Sequence, residues 1–533
     1  MKTKGKEDNN RLQFILLISS LFCGVFVMAL DATIIGTAVP SITTEFQSLD
    51  DIAWYGSGYL LTITAFQPTF GKVYQFVNVK AVFMTCVMIF EGIQKSTNED
   101  RTPTSAVFIV GRAIAGAGAA GLFQGALAII TKSVRLEQRP LCISIVTSTF
   151  AVSVCIGPVI GGAFTDHVTW RWCFWINVPI GAVVLVLIFF LFHVPEGSRD
   201  KTFDSMTFTQ KLMKMDPLGS LFIISAVVCI LLALQWGGQT MPWNSATVIG
   251  LLVAFPLFLG LFAFMQWKQG VDATLPLWLL KQRSMVATAI FSFFSAMPSY
   301  LYGYYIPIYF QAVKESTATQ SGVQFLALAI PQIFAVVLSG ALVTMLGYYL
   351  PFIIVGTCIG IVGSGLFLYL DLGTSTALWA VFLVVCGVGV GLAINLPYTI
   401  VQAILTEDNV PTGNAAFQFM FQLGAALSLS IGQTVFINQL KTYGQALTPT
   451  IPGEVLVRAG AYNLRALAGS EQIYNQLRQV YMNALHDTYI LPITASGLAL
   501  LVSFAIEHKN IKKISKEREQ SRADPETIKL SAV

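Results

Sequence analysis

Three ionisable residues stand where the sequence is otherwise too apolar to hold them. Asp31 lies in ALDATIIGTAVPSI, Arg112 in IVGRAIAGAGAAG, and Glu91 near the end of a shorter apolar run. A charged side chain costs about 2.5 to 3.5 kcal/mol at the centre of a bilayer on insertion scales, so it persists there only facing a cavity or a partner. Such groups can carry protons, or they can form an ion pair or carbonyl clamp that only holds helices together. Glu91 sits close enough to its run's end to reach the headgroups, so proton chemistry and anchoring are equally open to it. Neutral polar residues form a second set. Asn414, Gln418 and Gln422 recur at intervals of four and share one helical face, with Phe417, Phe419 and Phe421 between them. The stripe could bind and stack a large apolar ligand, or serve as interhelical glue worth about 0.6 kcal/mol per contact. Glue is the slightly better reading, and a substrate wall is better bounded by Gln124, Asn395 and the cluster Tyr300, Tyr302, Tyr304 and Tyr305. Those tyrosines could equally form an interfacial belt. The candidate cavity set is Gln124, Asn395, Tyr302, Tyr305, Gln418 and Gln422.

The elements that must position these residues are membrane spans. Hydrophobic residues make up 55% of the 533 and charged ones 11%, with a mean hydropathy of +0.67, which excludes a soluble protein. Apolar runs of about 20 residues fall near 12–39, 52–71, 79–93, 106–131, 140–165, 172–194, 216–236, 246–267, 285–310, 321–346, 350–371, 376–405, 411–440 and 489–506, fourteen in all. The first run lacks a small-residue cleavage site and reads as a retained helix. Of 32 Lys and Arg, 23 fall on the side of the termini and 8 on the other, with Arg112 inside a span. The positive-inside rule then places both termini in the cytoplasm.

An internal repeat is visible. Gly116, Gly118, Gly121, Leu122 and Gln124 of span 4 are nearly copied by Gly387, Gly389, Gly391, Leu392 and Asn395 of span 12. Spans 1–6 and 9–14 are then two halves around a midplane site, with spans 7 and 8 inserted. Gly116 to Gly121 also spells GxGxxG, but mid-span, with no preceding strand, so it marks no dinucleotide site. No GxxxxGK[ST] loop, metal cluster or N-glycosylation sequon occurs, and no cofactor is expected. The eight cysteines lie in apolar runs without CxxC spacing, and His167, His193, His486 and His508 are too scattered for a di-iron His-box. A membrane-embedded enzyme is thus the weaker class, as is a channel or receptor.

Span 5 carries Gly157, Pro158, Gly161 and Gly162, followed by WRWCFWINVPIG. This GPxxGG pattern resembles the fifth and sixth helices of fourteen-span major facilitator drug:proton antiporters, and the likeness from Phe14 to about Ser503 is greatest to fungal toxin and multidrug efflux pumps. The resemblance implies an all-α major facilitator fold: an N-terminal half over 12–194, an inserted pair within 195–267, and a C-terminal half over 285–506. Flanking these are an N-terminus 1–11, a long outer loop 441–488 bearing short amphipathic helices, and a charged tail 507–533 read as solvated, or in contact with anionic lipid. It also implies that Asp31 and Arg112 occupy cavity-lining positions. Arg112 would serve proton coupling, since a fixed positive charge lets protonation of a nearby carboxylate trade with substrate. The glycine–proline cluster would pack against span 10 as a gating motif. GKVYQFVNVK occupies the place of the family's gating loop, with Gln75 where an acid is expected and Asn78 where a glycine is, which puts a charge-locked gate in doubt. GIQKSTNEDRTPTS, over 92–105, departs from the family and leaves span 3 short: a tilted span, or a gene-model error such as a retained intron.

The function implied is proton-driven efflux of a small amphipathic toxin, secondary metabolite or drug by a monomer in the plasma membrane. Its partners are substrate, protons and lipid, not nucleic acid. A siderophore or vacuolar basic amino-acid transporter is the alternative.

Overall fold

A bilayer offers the backbone no hydrogen-bond partners, so apolar runs of this length fold as helices that satisfy their own backbone. The computed structural model describes residues 2–46, 52–96, 104–192, 206–237, 241–270, 273–449, 451–459 and 464–523. The N-terminal half comprises α1 (Lys2–Phe46), α2 (Ile52–Phe76), α3 (Val79–Ser96), α4 (Ser105–Ser133), α5 (Arg139–Thr147), α6 (Thr149–His167), α7 (Trp172–Trp175) and α8 (Asn177–Leu191). Between the halves lie α9 (Phe208–Lys214), the inserted α10 (Pro217–Trp236) and α11 (Ala246–Gln269), and α12 (Leu277–Lys281). The C-terminal half comprises α13 (Arg283–Ile308), α14 (Ala318–Leu346), α15 (Leu350–Leu366), α16 (Thr376–Ala393), α17 (Leu396–Ile404), α18 (Val410–Leu447), α19 (Gly453–Ala459), α20 (Leu464–Leu467), α21 (Glu471–Ser503) and α22 (Ile511–Ala523). Side chains start several of these. Thr104 caps α4, and Thr317 and Gln320 bond reciprocally at the start of α14.

Among the described residues, twelve helical segments are long and apolar enough to cross a membrane. Helices α2 and α3 stand at the expected places of spans 2 and 3 but fall outside that set. The reason in α2 is its polar content, including Thr62, Thr64, Gln67, Lys72 and Gln75. Tyr55, Tyr59 and Tyr74 of α2 are fully buried, so it lies within the bundle rather than against lipid. Helix α3 runs to Ser96; the doubtful stretch 92–105 falls partly at 97–103, outside the described residues.

The glycine repeat is a repeat of contacts. A side chain at Gly116 would strike the carbonyl of Tyr59 in α2, and one at Gly387 the carbonyl of Leu328 in α14. Gly118 lies against Cys86 and Phe90 of α3, and Gly389 against Gly360 of α15. The fourth helix of each half is therefore held backbone-close to the second and third by glycines at matching positions.

The inserted pair is latched to the N-terminal half. Asp216, in left-handed conformation (φ 51°), caps α10 through Gly219 and accepts hydrogen bonds from Gln266 of α11 (2.8 Å) and the Thr274 hydroxyl (2.9 Å). Lys72 of α2 donates to the carbonyl of the adjacent Ala273 at 3.0 Å.

Two expectations need correction. The outer loop does hold short helices, α19 and α20, but α21 begins at Glu471 as part of one 33-residue helix continuous with the last span. Its apolar face extends upstream, with Leu477, Val480 and Tyr481 buried in the C-terminal core, and Ser470 caps its start. The tail is not solvated throughout: α22 lies across the C-terminal half, where Arg518 donates to the carbonyls of Gln402, Ala403 and Leu405 and Ile511 is buried.

Candidate functional site: a central cavity beside a buried ion pair

A cavity of about 390 Å³ lies between the halves, bounded by α1, α2, α4–α6 and by α13, α14 and α16–α18. Among the described residues, no lysine, arginine, aspartate or glutamate lines it. Its polar groups are amides and hydroxyls set among aromatic rings. Gln418 accepts from the hydroxyl of Tyr398 at 2.5 Å, and Gln422 from that of Tyr300 at 3.1 Å. Phe417 meets the Tyr398 ring edge-on at 4.3 Å between centroids. Asn395 donates to Thr147 of the opposite half at 2.6 Å. Tyr302 reaches the cavity wall while its hydroxyl bonds Ser364. The amide stripe of α18 is thus both internal glue and cavity wall, except Asn414, which is buried away from the lining.

Two of the expected cavity residues lie elsewhere. Gln124 is fully buried in α4 and donates to Gln67 at 2.6 Å, and it is Gln67 that reaches the cavity. Tyr305 turns the other way on α13 and packs on Phe436. Gln67, Tyr398 and Gln332 are among the wall residues that the sequence did not single out. For Gln67 a signal existed, an amide beside Pro68 in a run too polar to face lipid.

Asp31 and Arg112, 81 positions apart, form one ion pair, with Nη1 2.6 Å from Oδ2. Arg112 also donates from Nε to the carbonyl of Tyr55 at 3.1 Å, and its guanidinium stacks over Tyr59 (4.4 Å) and Phe174 (5.3 Å). Both residues are buried, Arg112 at 3% and Asp31 at 0% exposure, inside the N-terminal half and behind the cavity wall rather than on it. Pair and carbonyl clamp, the two structural readings, are both present. Glu91 is turned into the protein: it is 8% exposed, and a side chain at Gly181 of α8 would strike its carboxyl.

The halves meet at the end of the bundle that carries α22. Gly71 lets α2 lie against Ala415 and the carbonyl of Pro411, at distances of 2.5 and 3.0 Å from an added Cβ. Gln75, where an acid was expected, donates to Asn409 at 2.9 Å, so an amide pair stands in the place of a charge lock. Arg139 pairs with Glu407 at 2.7 Å. At the other end of α1, Glu45 binds Arg171 and Trp170 of its own half, and the hydrogen bonds from Arg171 hold its carboxyl below the usual range.

The GPxxGG cluster packs differently from expectation. A side chain at Gly157 would meet Thr33 and Ile34, and one at Gly161 Thr37 and Ile34, all on α1 rather than on span 10. Gly162 has open space beside it, and Pro158 lies within α6. The Cβ-less face turns to α1, whose Thr33 hydroxyl bonds the carbonyl of Ser153 at 3.0 Å.

Comparison with known proteins agrees with this architecture. The Major Facilitator Superfamily model matches residues 21–429. The chain is 38% identical over 501 residues to the MFS-type efflux pump MFS1 of Trichophyton rubrum, covering 94% of this chain and 92% of the relative. It is 36% identical over 503 residues to the efflux pump aflT of Aspergillus parasiticus, with coverages of 94% and 97%. Among solved structures, the proton:xylose symporter XylE aligns with a TM-score of 0.60 at 14% identity over 95% of this chain and 99% of that one. The human organic anion transporter MFSD10 aligns at 0.58 and 13% identity, over 92% and 99%. Matched by the family model over most of its length, and folded as two helical halves around a cavity, the chain is a multi-pass membrane transporter of the major facilitator superfamily.

Proposed function

We propose that this protein exports a small amphipathic molecule, a toxin or secondary metabolite, in exchange for protons by alternating access. The observation that carries the reading is the cavity: about 390 Å³, aromatic and aliphatic, free of charged side chains among the described residues, with a few amides and hydroxyls to orient a ligand. Such a wall suits a mostly apolar molecule. It is a poor match for a basic amino acid, whose charges would find no partner. The relatives named as efflux pumps point the same way.

In this reading the substrate wall is Asn395, Tyr302, Gln418 and Gln422, with Gln67 and Tyr398 added. Gln124 and Tyr305 act one layer behind it. The Asp31–Arg112 pair is the proton-coupling element: protonation of Asp31 releases Arg112, which is tied through Tyr55 to α2, one of the helices that seals the halves. Glu91 is a second acid of the same core. Gly157, Pro158, Gly161 and Gly162 let α6 ride closely on α1 as the halves move. With the termini in the cytoplasm, the seal at the end carrying α22 makes this the outward-facing form, in the plasma membrane. The fourteen-span count and the domain limits given above belong to the same proposal.

The direct test is growth of a pump-deficient yeast expressing the protein on a toxin panel, with uptake in proteoliposomes under an imposed proton gradient. Resistance to at least one compound, together with gradient-dependent accumulation, supports the reading. Accumulation independent of the gradient contradicts proton exchange.

A further inference from the structure

A second cavity of about 250 Å³ opens between α2, the inserted α10, α13 and α18. Its wall on α10 is Leu231, Leu234 and Gln235, and on α18 it includes Ser430 and Gln433. Leu60, Tyr300, Tyr304, Gln422 and Leu429 line both this cavity and the central one, so the two meet at a shared partition.

The two sides of this cavity are rigidly but separately built. Helix α10 is fixed to α2 at both ends. Near Asp216, Lys72 reaches the carbonyl of Ala273; at the other end Gln235 donates to Ser57 at 2.7 Å and Trp236 meets Trp54 edge-on at 5.8 Å. Helices α13 and α18 are equally close, since a side chain at Gly424 would strike the carbonyl of Phe293 and one at Gly432 would meet Leu301 at 2.7 Å. The inserted helix therefore forms one wall of this half-open chamber, which lies beside the central cavity.

The geometry points to a second binding subsite here, which takes the apolar or aromatic extension of an exported molecule whose polar part sits among Gln418, Gln422 and Asn395. The inference rests on the efflux reading and assigns the inserted pair a role in substrate capacity. The occupant argued for is the exported molecule because the chamber is separated from the central cavity only by the shared partition, Leu60, Tyr300, Tyr304, Gln422 and Leu429, with Tyr300 hydrogen-bonded to Gln422. It also presents amides and hydroxyls, Gln235, Gln433 and Ser430, which a lipid acyl chain has no use for.

The test uses the full chain in proteoliposomes and two compounds exported by the wild type, one that fits within the central cavity and one that exceeds it. The readout is the ratio of their KM values, large over small. Leu234→Trp fills the chamber and should raise that ratio about fivefold or more; Leu234→Ala enlarges it and should lower the ratio. If the tryptophan variant does not reach the membrane, the alanine variant alone decides. Ratios within about twofold of the wild type in the variants measured overturn the subsite. So does a KM that rises equally for both compounds, or a phospholipid retained by the wild type and lost in Leu234→Trp while the ratio stays fixed. If the wild type exports no compound of any size, the efflux reading falls, and the subsite with it.

Discussion

The two halves share a scaffold and bury opposite things in it. Gly116 and Gly118 in the first half, and Gly387 and Gly389 in the second, bring the fourth helix backbone-close to the second and third. Four residues before Gly116 stands Arg112, paired with Asp31; four residues before Gly387 stands Leu383, 2% exposed in an apolar core. Gln124 turns inward to Gln67 of its own half, whereas Asn395, at the matching place, reaches across to Thr147. The N-terminal half holds its ion pair behind the cavity wall and presents Gln67 and Thr147 on it, and the C-terminal half presents Gln418, Gln422 and Tyr302. The buried charge is kept dry in one half, and neutral hydrogen-bonding groups from both halves line the cavity; in the proposed mechanism the first is the proton switch and the second the ligand wall.

The comparison breaks most severely at Arg112. Arg112→Ala removes the guanidinium paired with the buried Asp31 and should cost about 3–5 kcal/mol of stability as well as gradient-driven export. Arg112→Lys restores charge without the fork to Asp31 and Tyr55 and should recover part of both. Thermal unfolding in detergent and vesicle transport measure the two effects. The double variant Arg112→Leu with Asp31→Leu makes the first half resemble the second. It should recover most of the lost stability while staying uncoupled, and a coupled double variant would reduce the pair to a structural brace.

Smaller effects sharpen what the halves have in common. Gly116→Ala and Gly387→Ala each push a methyl group into a facing carbonyl, so each should cost about 1–3 kcal/mol, and by similar amounts. Unequal costs, read from unfolding midpoints, would mean that the repeat is one of sequence more than of packing. Gly161→Leu should lose export through its clash with Thr37 and Ile34 of α1, whereas Gly162→Ala, with open space beside it, should stay within about 0.5 kcal/mol of the wild type.

The sequence made the repeat, the helix positions and the buried charges legible, because each departs from what a soluble chain or lipid tolerates. The pairing of Asp31 with Arg112 was not legible. It depends on how α1 and α4 rotate against each other, and both helices are apolar on every side, so no periodicity marks a face. The same ambiguity hid which residues of a polar cluster reach the cavity. Tyr302 does and Tyr305 does not, though three positions separate them on one helix. The partner of Gly161 was also misread, since a small residue signals a close approach without saying to which neighbour. The long reach of α21 was readable in the spacing of Ile473, Leu477, Tyr481 and Leu485, a helical face that runs into the last span without a break.

On the ligand side, Tyr398→Phe removes the donor to Gln418 and leaves a buried amide oxygen unpaired, a loss of about 1–3 kcal/mol. It should raise the KM for substrate while leaving the dependence on the proton gradient intact. That is the counterpart of Asp31→Asn, which keeps shape and hydrogen bonding but removes the titratable proton. The most direct measurement sets the two modes of transport by Asp31→Asn proteoliposomes side by side: accumulation driven by an imposed pH gradient, and exchange of labelled for unlabelled substrate with no gradient. The account predicts that exchange persists while gradient-driven accumulation and its pH dependence are lost. Accumulation at the wild-type rate, with an unchanged pH profile, would contradict it and leave the buried pair a purely structural one.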